Sequence, residues 1–254
     1  MLVAAIVLVI GGGFAVFALR GSDAPPPPEL SAPAADATAT ATPAPAGRAT
    51  WEVTPGEPTF VGYRVREEFV TFGVVDAVGR TNEVSGTVEI DSDTVQAAEL
   101  ETDMTKLRSD ESRRDDALRG RGIETDRFPT ASFELTGPFE LSSEPVRARG
   151  RLTLHGETHP IVARVSGQRS GEAIELVGSA PIEFADFAIE PPSVAGFVTV
   201  RDTGRLEFKL RVTSPKTSAT IPAHRWRRAA ASRDGLAGET HFTRRPDRPM
   251  YRRT

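Results

Sequence analysis

Between Trp51 and Val212 apolar residues recur at every second position, and a period of two dictates extended chain with one wet and one dry face. Val61, Tyr63 and Val65 alternate with Gly62, Arg64 and Arg66, and Val84, Gly86, Val88 and Ile90 alternate with Ser85, Thr87 and Glu89. The same rhythm runs through Ala131, Phe133 and Leu135, then Val146, Ala148, Gly150, Leu152 and Leu154. It returns in Ile174, Leu176, Gly178, Ala180 and Ile182, and in Leu206, Phe208, Leu210 and Val212, with shorter cases at Leu100 and at Ile161, Ala163 and Val165. Gly79, Asp91-Ser92-Asp93, Gly137-Pro138, Gly156, Gly167 and Gly204 read as the turns between them, so about eight strands are expected. Strands dry on one side need a partner layer. A sheet closed on itself supplies one and also removes the edges; two sheets packed as a sandwich supply one too. The alternation does not separate these two folds. Only a barrel of about eight strands leaves room inside for one elongated small ligand.

One segment breaks the rhythm. Ser109–Gly120 reads as a short helix, with Ser109 as its cap, acids in its first turn and Gly120 as its end. Ala117 and Leu118 are its only apolar residues, so it covers an opening and builds no core.

The two ends differ from this body. Leu2–Leu19 is an uninterrupted apolar run of eighteen residues, about 27 Å as a helix, close to the roughly 30 Å of a hydrocarbon core. It ends Ala18-Leu19-Arg20 without a small-x-small cleavage site, so residues 1–20 are expected to be an uncleaved transmembrane signal-anchor. Residues 21–47 are expected to be a disordered linker, because nineteen of the 26 residues in Ser22–Gly47 are Pro, Ala or Thr and form a stiff, extended spacer. No Lys or Arg precedes the apolar run, and Arg20 follows it, which taken literally puts the body in the cytoplasm. A spacer of this kind suits a domain held away from a bilayer. The expectation is a single-pass cell-membrane protein with an extracytoplasmic barrel, the start being late so that a basic n-region ahead of it is missing.

Residues 216–254 carry ten Lys and Arg against Asp234, Glu239 and Asp247 and show no period. Three readings of this basic, disordered tail stand open: an arm drawn to anionic envelope polymers or headgroups, a nucleic-acid binder, or the product of a shifted reading frame. With that tail removed the body is strongly acidic, which argues against binding to a phosphate backbone, so no nucleic-acid partner is expected. The chain has no Cys, which excludes disulfides, thiolate metal sites and a thiol nucleophile.

Motifs that carry chemistry are scarce. His155 and His159 are spaced i, i+4, but Gly156 and Pro160 place them in a turn with no third ligand at a usual spacing, so they read as a solvated hairpin and no metal is expected. Asp110, Glu111, Asp115 and Asp116 read first as a charged helix start and second as carboxylates for acid/base work. There is no nucleophile elbow and no phosphate loop. The Gly11–Gly13 triplet falls within the apolar run, where it reads as helix packing.

Taken together, several stretches resemble the YceI-like family of secreted lipid-binding proteins over roughly residues 48–214. They are Trp51-Glu52-Val53, TFVGYRV at 59–65, GTVEID at 86–91, Arg114-Asp115 with Leu118, FPTASF at 128–133, GRLTLHGETHP at 150–160 and FADFAI at 184–189. EFVTFGVVDAVGRT and IEPPSVAGFVTVRDTG are similar to the actinobacterial, membrane-anchored branch. Where the family commonly has His two residues after the Arg-Asp pair, Ala117 stands here, and its aromatic pair beyond the helix is replaced around Gly122-Ile123. The resemblance implies an all-β fold with one short helix: an extended, lipocalin-like, eight-stranded antiparallel β-barrel with an apolar cavity. It also implies binding of a polyisoprenoid or similar amphiphile without catalysis.

On that reading the lipid-binding wall comprises Val61, Tyr63, Val65, Val88, Ile90, Leu100, Leu118, Phe133, Leu135, Leu152, Leu154, Ile182, Phe184, Phe187, Phe197 and Phe208. Each is equally readable as plain core, and Phe187 and Phe197 as seals at the mouth. No cofactor is expected beyond a bound isoprenoid lipid or quinone as ligand. The partners are that lipid and the membrane through the anchor, with a homodimer left open. Two alternatives remain: an envelope enzyme acting on a lipid-like substrate through Asp110, Glu111 or Asp115 with His155, and a structural envelope module with a solid barrel.

Overall fold

A computed structural model describes residues 24–32, 47–69, 73–191 and 198–214. The apolar run 2–19, Phe197 and the tail 216–254 lie outside the described residues. Among the described residues no helix is long and apolar enough to cross a membrane.

The strands are β1 (Arg48–Val53), β2 (Phe60–Phe69), β3 (Gly73–Thr81), β4 (Val84–Asp91), β5 (Thr94–Asp103), β6 (Arg108–Ser109), β7 (Thr130–Leu135), β8 (Phe139–Glu140), β9 (Val146–Leu154), β10 (Glu157–Ser170), β11 (Ala173–Glu183) and β12 (Val198–Thr213). The helix α1 (Ser112–Gly120) stands between β6 and β7. Neighbours run β1-β4-β5-β7-β9-β10-β11-β12, all antiparallel, and the ring closes where Glu52 meets Thr213 and Val53 meets Val212. Closure gives the eight-stranded antiparallel barrel. Three of its staves are broken in two. β2 continues β1 along β12, β3 pairs β2 just before the chain enters β4, and β6 meets β3 just after the chain leaves β5.

Three glycines read as turns sit inside strands instead. Gly79 lies in β3, where a Cβ would strike the Tyr63 ring; Gly167 lies in β10, where it would strike Leu141 and Leu176; Gly204 lies in β12 beside a register shift. A strand glycine of this kind marks close approach by another group, not a change of direction. The real reversal after β10 uses Gly171, at φ 61°. The helix also begins later than expected. Ser109 belongs to β6, and both its amide and its hydroxyl donate to the Asp115 carboxylate, 2.9 and 2.7 Å away, which binds the helix start to the sheet.

The stretch read as a free spacer is not free throughout. Its described part, residues 24–32, is hydrogen-bonded to outward-facing side chains of β2, β3, β10, β11 and β12.

Inward glycines also govern the interior. A Cβ at Gly150 would collide with the Phe133 ring, one at Gly178 would come to 2.5 Å from Phe208, and one at Gly204 to 3.0 Å from Phe184. Each ring therefore lies against bare backbone along the wall instead of crossing the lumen. Gly178→Ala is expected to force the Phe208 ring inward and to press on the Arg164 carbonyl, at a cost of about 1–3 kcal/mol. A lowered urea midpoint at unchanged m-value is the measurement that checks this.

Candidate functional site

The dry faces of the ring enclose a hollow, and a solid barrel or a two-sheet sandwich is thereby excluded. Its volume is about 190 Å³, and its walls are almost wholly apolar. Of the wall residues expected from sequence, Val61, Tyr63, Val65, Val88, Leu100, Leu118, Phe133, Leu135, Leu152, Leu154, Ile182, Phe184 and Phe208 line it. They reach it from seven of the eight staves, all but β10, from α1 and from the 3-10 turn Phe184–Phe187 that follows β11. Two expectations are corrected. Ile90 and Phe187, only 2% and 1% exposed, are buried in the surrounding core and do not line the hollow. Phe197 lies outside the described residues.

Alternation could not reveal Met104, Leu107 and Ile123, which line the hollow from the connection between β5 and β7. That connection has no period to read. With Tyr63, Leu118, Ala131 and Leu154 these residues form a smaller apolar cluster beside α1, distinct from the main core. The signal available was negative: apolar residues in a polar, aperiodic segment have no reason to be there unless something covers them.

The same region carries the polar groups that matter. Arg114 of α1 faces Glu67 of β2 with two hydrogen bonds of 3.2 Å and also donates to Asp110. Both Arg114 and Glu67 reach the hollow. Burial works to lower the Arg114 pKa, but the bonds and charge of Glu67, then Tyr63 and Asp110, outweigh it, so the guanidinium is a fixed cation. Its charge is already answered by two carboxylates. The Tyr63 hydroxyl is buried and has no hydrogen-bond partner among the described residues. Burial pushes its pKa far up, chiefly by desolvation, so it stays a neutral phenol with a proton to donate.

His155 departs from the solvated hairpin expected of it. It is 9% exposed, at φ 54° in the β9–β10 turn, with Nδ1 2.9 Å from the Phe187 carbonyl and Nε2 2.8 Å from Glu124. Phe128 packs on its ring at 4.3 Å, and His159 meets the edge of Phe187 at 5.3 Å. The histidine ties the hairpin to two neighbouring turns. Among the described residues no three His, Cys, Asp or Glu side chains form a group able to hold a metal ion. Of the side chains named for acid/base work, Asp110 is bonded to Arg114, Asp115 to Ser109, and His155 to Glu124 and Phe187.

Comparison with known proteins agrees with this architecture. A UPF0312 protein of Vibrio cholerae is 29% identical over 133 residues, covering 47% of this chain and 68% of that protein. A UPF0312 protein of Vibrio vulnificus is 30% identical over the same length and shares. Among solved structures, a polyisoprenoid binding domain from Saccharophagus degradans implicated in plant cell wall breakdown superposes with a TM-score of 0.50 at 18% identity. That match covers 65% of this chain and 98% of the other. Residues 51–212 match the YceI-like domain, nearly the whole span of the barrel, and the chain belongs to the YceI-like family.

Proposed function

We propose that this protein binds, and so sequesters or carries, one isoprenoid or similar amphiphilic lipid in the cell envelope, without chemistry on it. The observation that carries the reading is a hollow with an almost wholly apolar wall and a polar corner formed by Tyr63, Glu67 and Arg114. The structurally similar Saccharophagus degradans domain, described as polyisoprenoid binding, supports it. Burying some fifteen methylene equivalents is worth about 12 kcal/mol, at about 0.8 kcal/mol each. Association costs about 4–15 kcal/mol, so length and shape of the chain set the affinity as much as any polar contact.

The polar corner selects the head. An anionic head would compete with Glu67 and Asp110 for an arginine they already neutralise. A neutral acceptor, such as a quinone carbonyl, meets the unpartnered Tyr63 hydroxyl instead. The apolar run 2–19 supports single-pass anchoring in the cell membrane with the barrel outside the cytoplasm.

Mass spectrometry of organic extracts from the purified full chain is expected to find one lipid per protein. Phe208→Glu, which places a carboxylate on the wall, should remove that lipid while far-UV dichroism keeps its β signature. Lipid retained by the folded variant would end the assignment. Tyr63→Phe should weaken a quinone-headed ligand about five- to tenfold, the worth of one hydrogen bond, and leave a hydrocarbon-only analogue unchanged in a fluorescence displacement assay.

A further inference from the structure

Outward-facing positions of a barrel are ordinarily wet, yet two acidic ones here are dry. Glu207 of β12 points away from the hollow, between inward Leu206 and Phe208, and is 1% exposed. Glu175 of β11 points the same way and is 4% exposed. Each has a cationic partner on a neighbouring strand. Arg64 binds Glu207 through Nε at 2.6 Å and Nη2 at 3.2 Å, and Arg80 stands 3.7 Å from it; Lys209 stands 3.2 Å from Glu175. The described stretch 24–32 bonds to Glu175 and to the cations Arg64, Arg80 and Lys209 of this row.

The bonding matches what a proline-rich chain can offer. Proline has no N–H, so Pro25–Pro28 present only carbonyls, and the row answers them with donors: Arg64 Nη2 to the Pro25 oxygen at 2.6 Å and Arg80 Nη2 to the Pro26 oxygen at 2.9 Å. Lys209 Nζ donates to the Glu29 carbonyl at 2.9 Å and to the Ser31 hydroxyl oxygen at 3.1 Å. Where an amide returns, the row supplies an acceptor. Ser31 donates its N–H to Glu175 Oε1 at 2.6 Å and its hydroxyl proton to Oε2 at 2.9 Å, while Gln168 donates to its carbonyl at 2.7 Å. Burial alone would raise the Glu175 carboxyl; the amide and hydroxyl of Ser31, with Lys209, outweigh it and hold it below the usual carboxylate range.

We infer that the outer wall of this barrel carries a peptide-binding groove for an extended, proline-rich segment, occupied by the chain's own residues 25–31. The four prolines in a row are pre-organised and lose little freedom on docking. Fourteen residues, 33–46, join the segment to β1 at Arg48 by way of Gly47, and a tether of that length gives an effective concentration of the order of millimolar. A groove of only millimolar intrinsic affinity is therefore substantially filled. The segment acts as a clasp on the outer wall. This groove is separate from the lipid hollow and stands whether or not a lipid binds there.

The absence of Cys makes the test direct. Spin labels at Ala32→Cys and Glu172→Cys, an exposed site in the β10–β11 turn, are placed on the full chain in detergent micelles. The expected result is one narrow distance distribution that broadens in Ser31→Pro, a change outside the barrel that removes the two hydrogen bonds Ser31 donates to Glu175. Amide exchange at Ser31 in the unlabelled chain should be slowed about tenfold or more against its free-chain rate. A broad distribution in the parent, or free-chain exchange at Ser31, overturns the clasp. A distance seen only on mixing singly labelled copies also overturns it, by showing that a second molecule supplies the segment.

Discussion

An aromatic side chain on the inside of a narrow barrel must either cross the lumen or lie along its wall, and inward glycines decide which. Phe133, Phe208 and Phe184 lie over Gly150, Gly178 and Gly204, where a Cβ would meet them. The three rings that would otherwise plug the barrel become its lining. Everything proposed about ligand binding depends on this, since a barrel of eight staves has just enough interior to be filled by its own side chains. The hollow is thus a packing outcome, held open by missing methyl groups.

The connection between β5 and β7 then gives the hollow its asymmetry. It leaves the barrel wall at Met104, touches β3 through β6 and returns to β7 after α1. Met104, Leu107, Leu118 and Ile123 extend the apolar lining here, while Arg114, Glu67 and Tyr63 introduce the polar groups. Bidentate pairing fixes the arginine and spends its charge on Glu67. That leaves the phenol as the uncommitted donor among these three, a consequence of burial and not of acidity.

The outer wall follows a related logic with opposite chemistry. Alternation assigns Glu175, Glu207, Lys209 and Arg64 to solvent, and a polar outer row is the ordinary expectation. The buried carboxylates Glu175 and Glu207 would be costly without partners. Neighbouring strands supply the cations, Ser31 adds two hydrogen bonds to Glu175, and the cations in turn donate to carbonyls of residues 25–29. A stretch that composition marks as a spacer takes a defined position because a separate part of the chain matches its acceptors. Composition reports that a segment lacks a core of its own; it says nothing about a surface elsewhere built to receive it.

Most strands, and the face each of their side chains takes, were determined by the sequence alone, because they follow from a period read within a dozen residues. So it is that Val61, Leu100, Leu152, Ile182 and ten or so companions could be named as inward before any fold was known. Tertiary structure decided what those faces meet. Whether they surround a hollow depends on pairs far apart in the chain, such as Phe208 with Gly178 and Val53 with Val212. It also decided that Gly79 and Gly167 are seats and not turns, that Ile90 and Phe187 belong to the core, and that His155 is buried between Phe187 and Glu124. The physical reason is the same throughout: local periodicity fixes a side chain's direction, while burial is set by whichever distant group arrives to cover it.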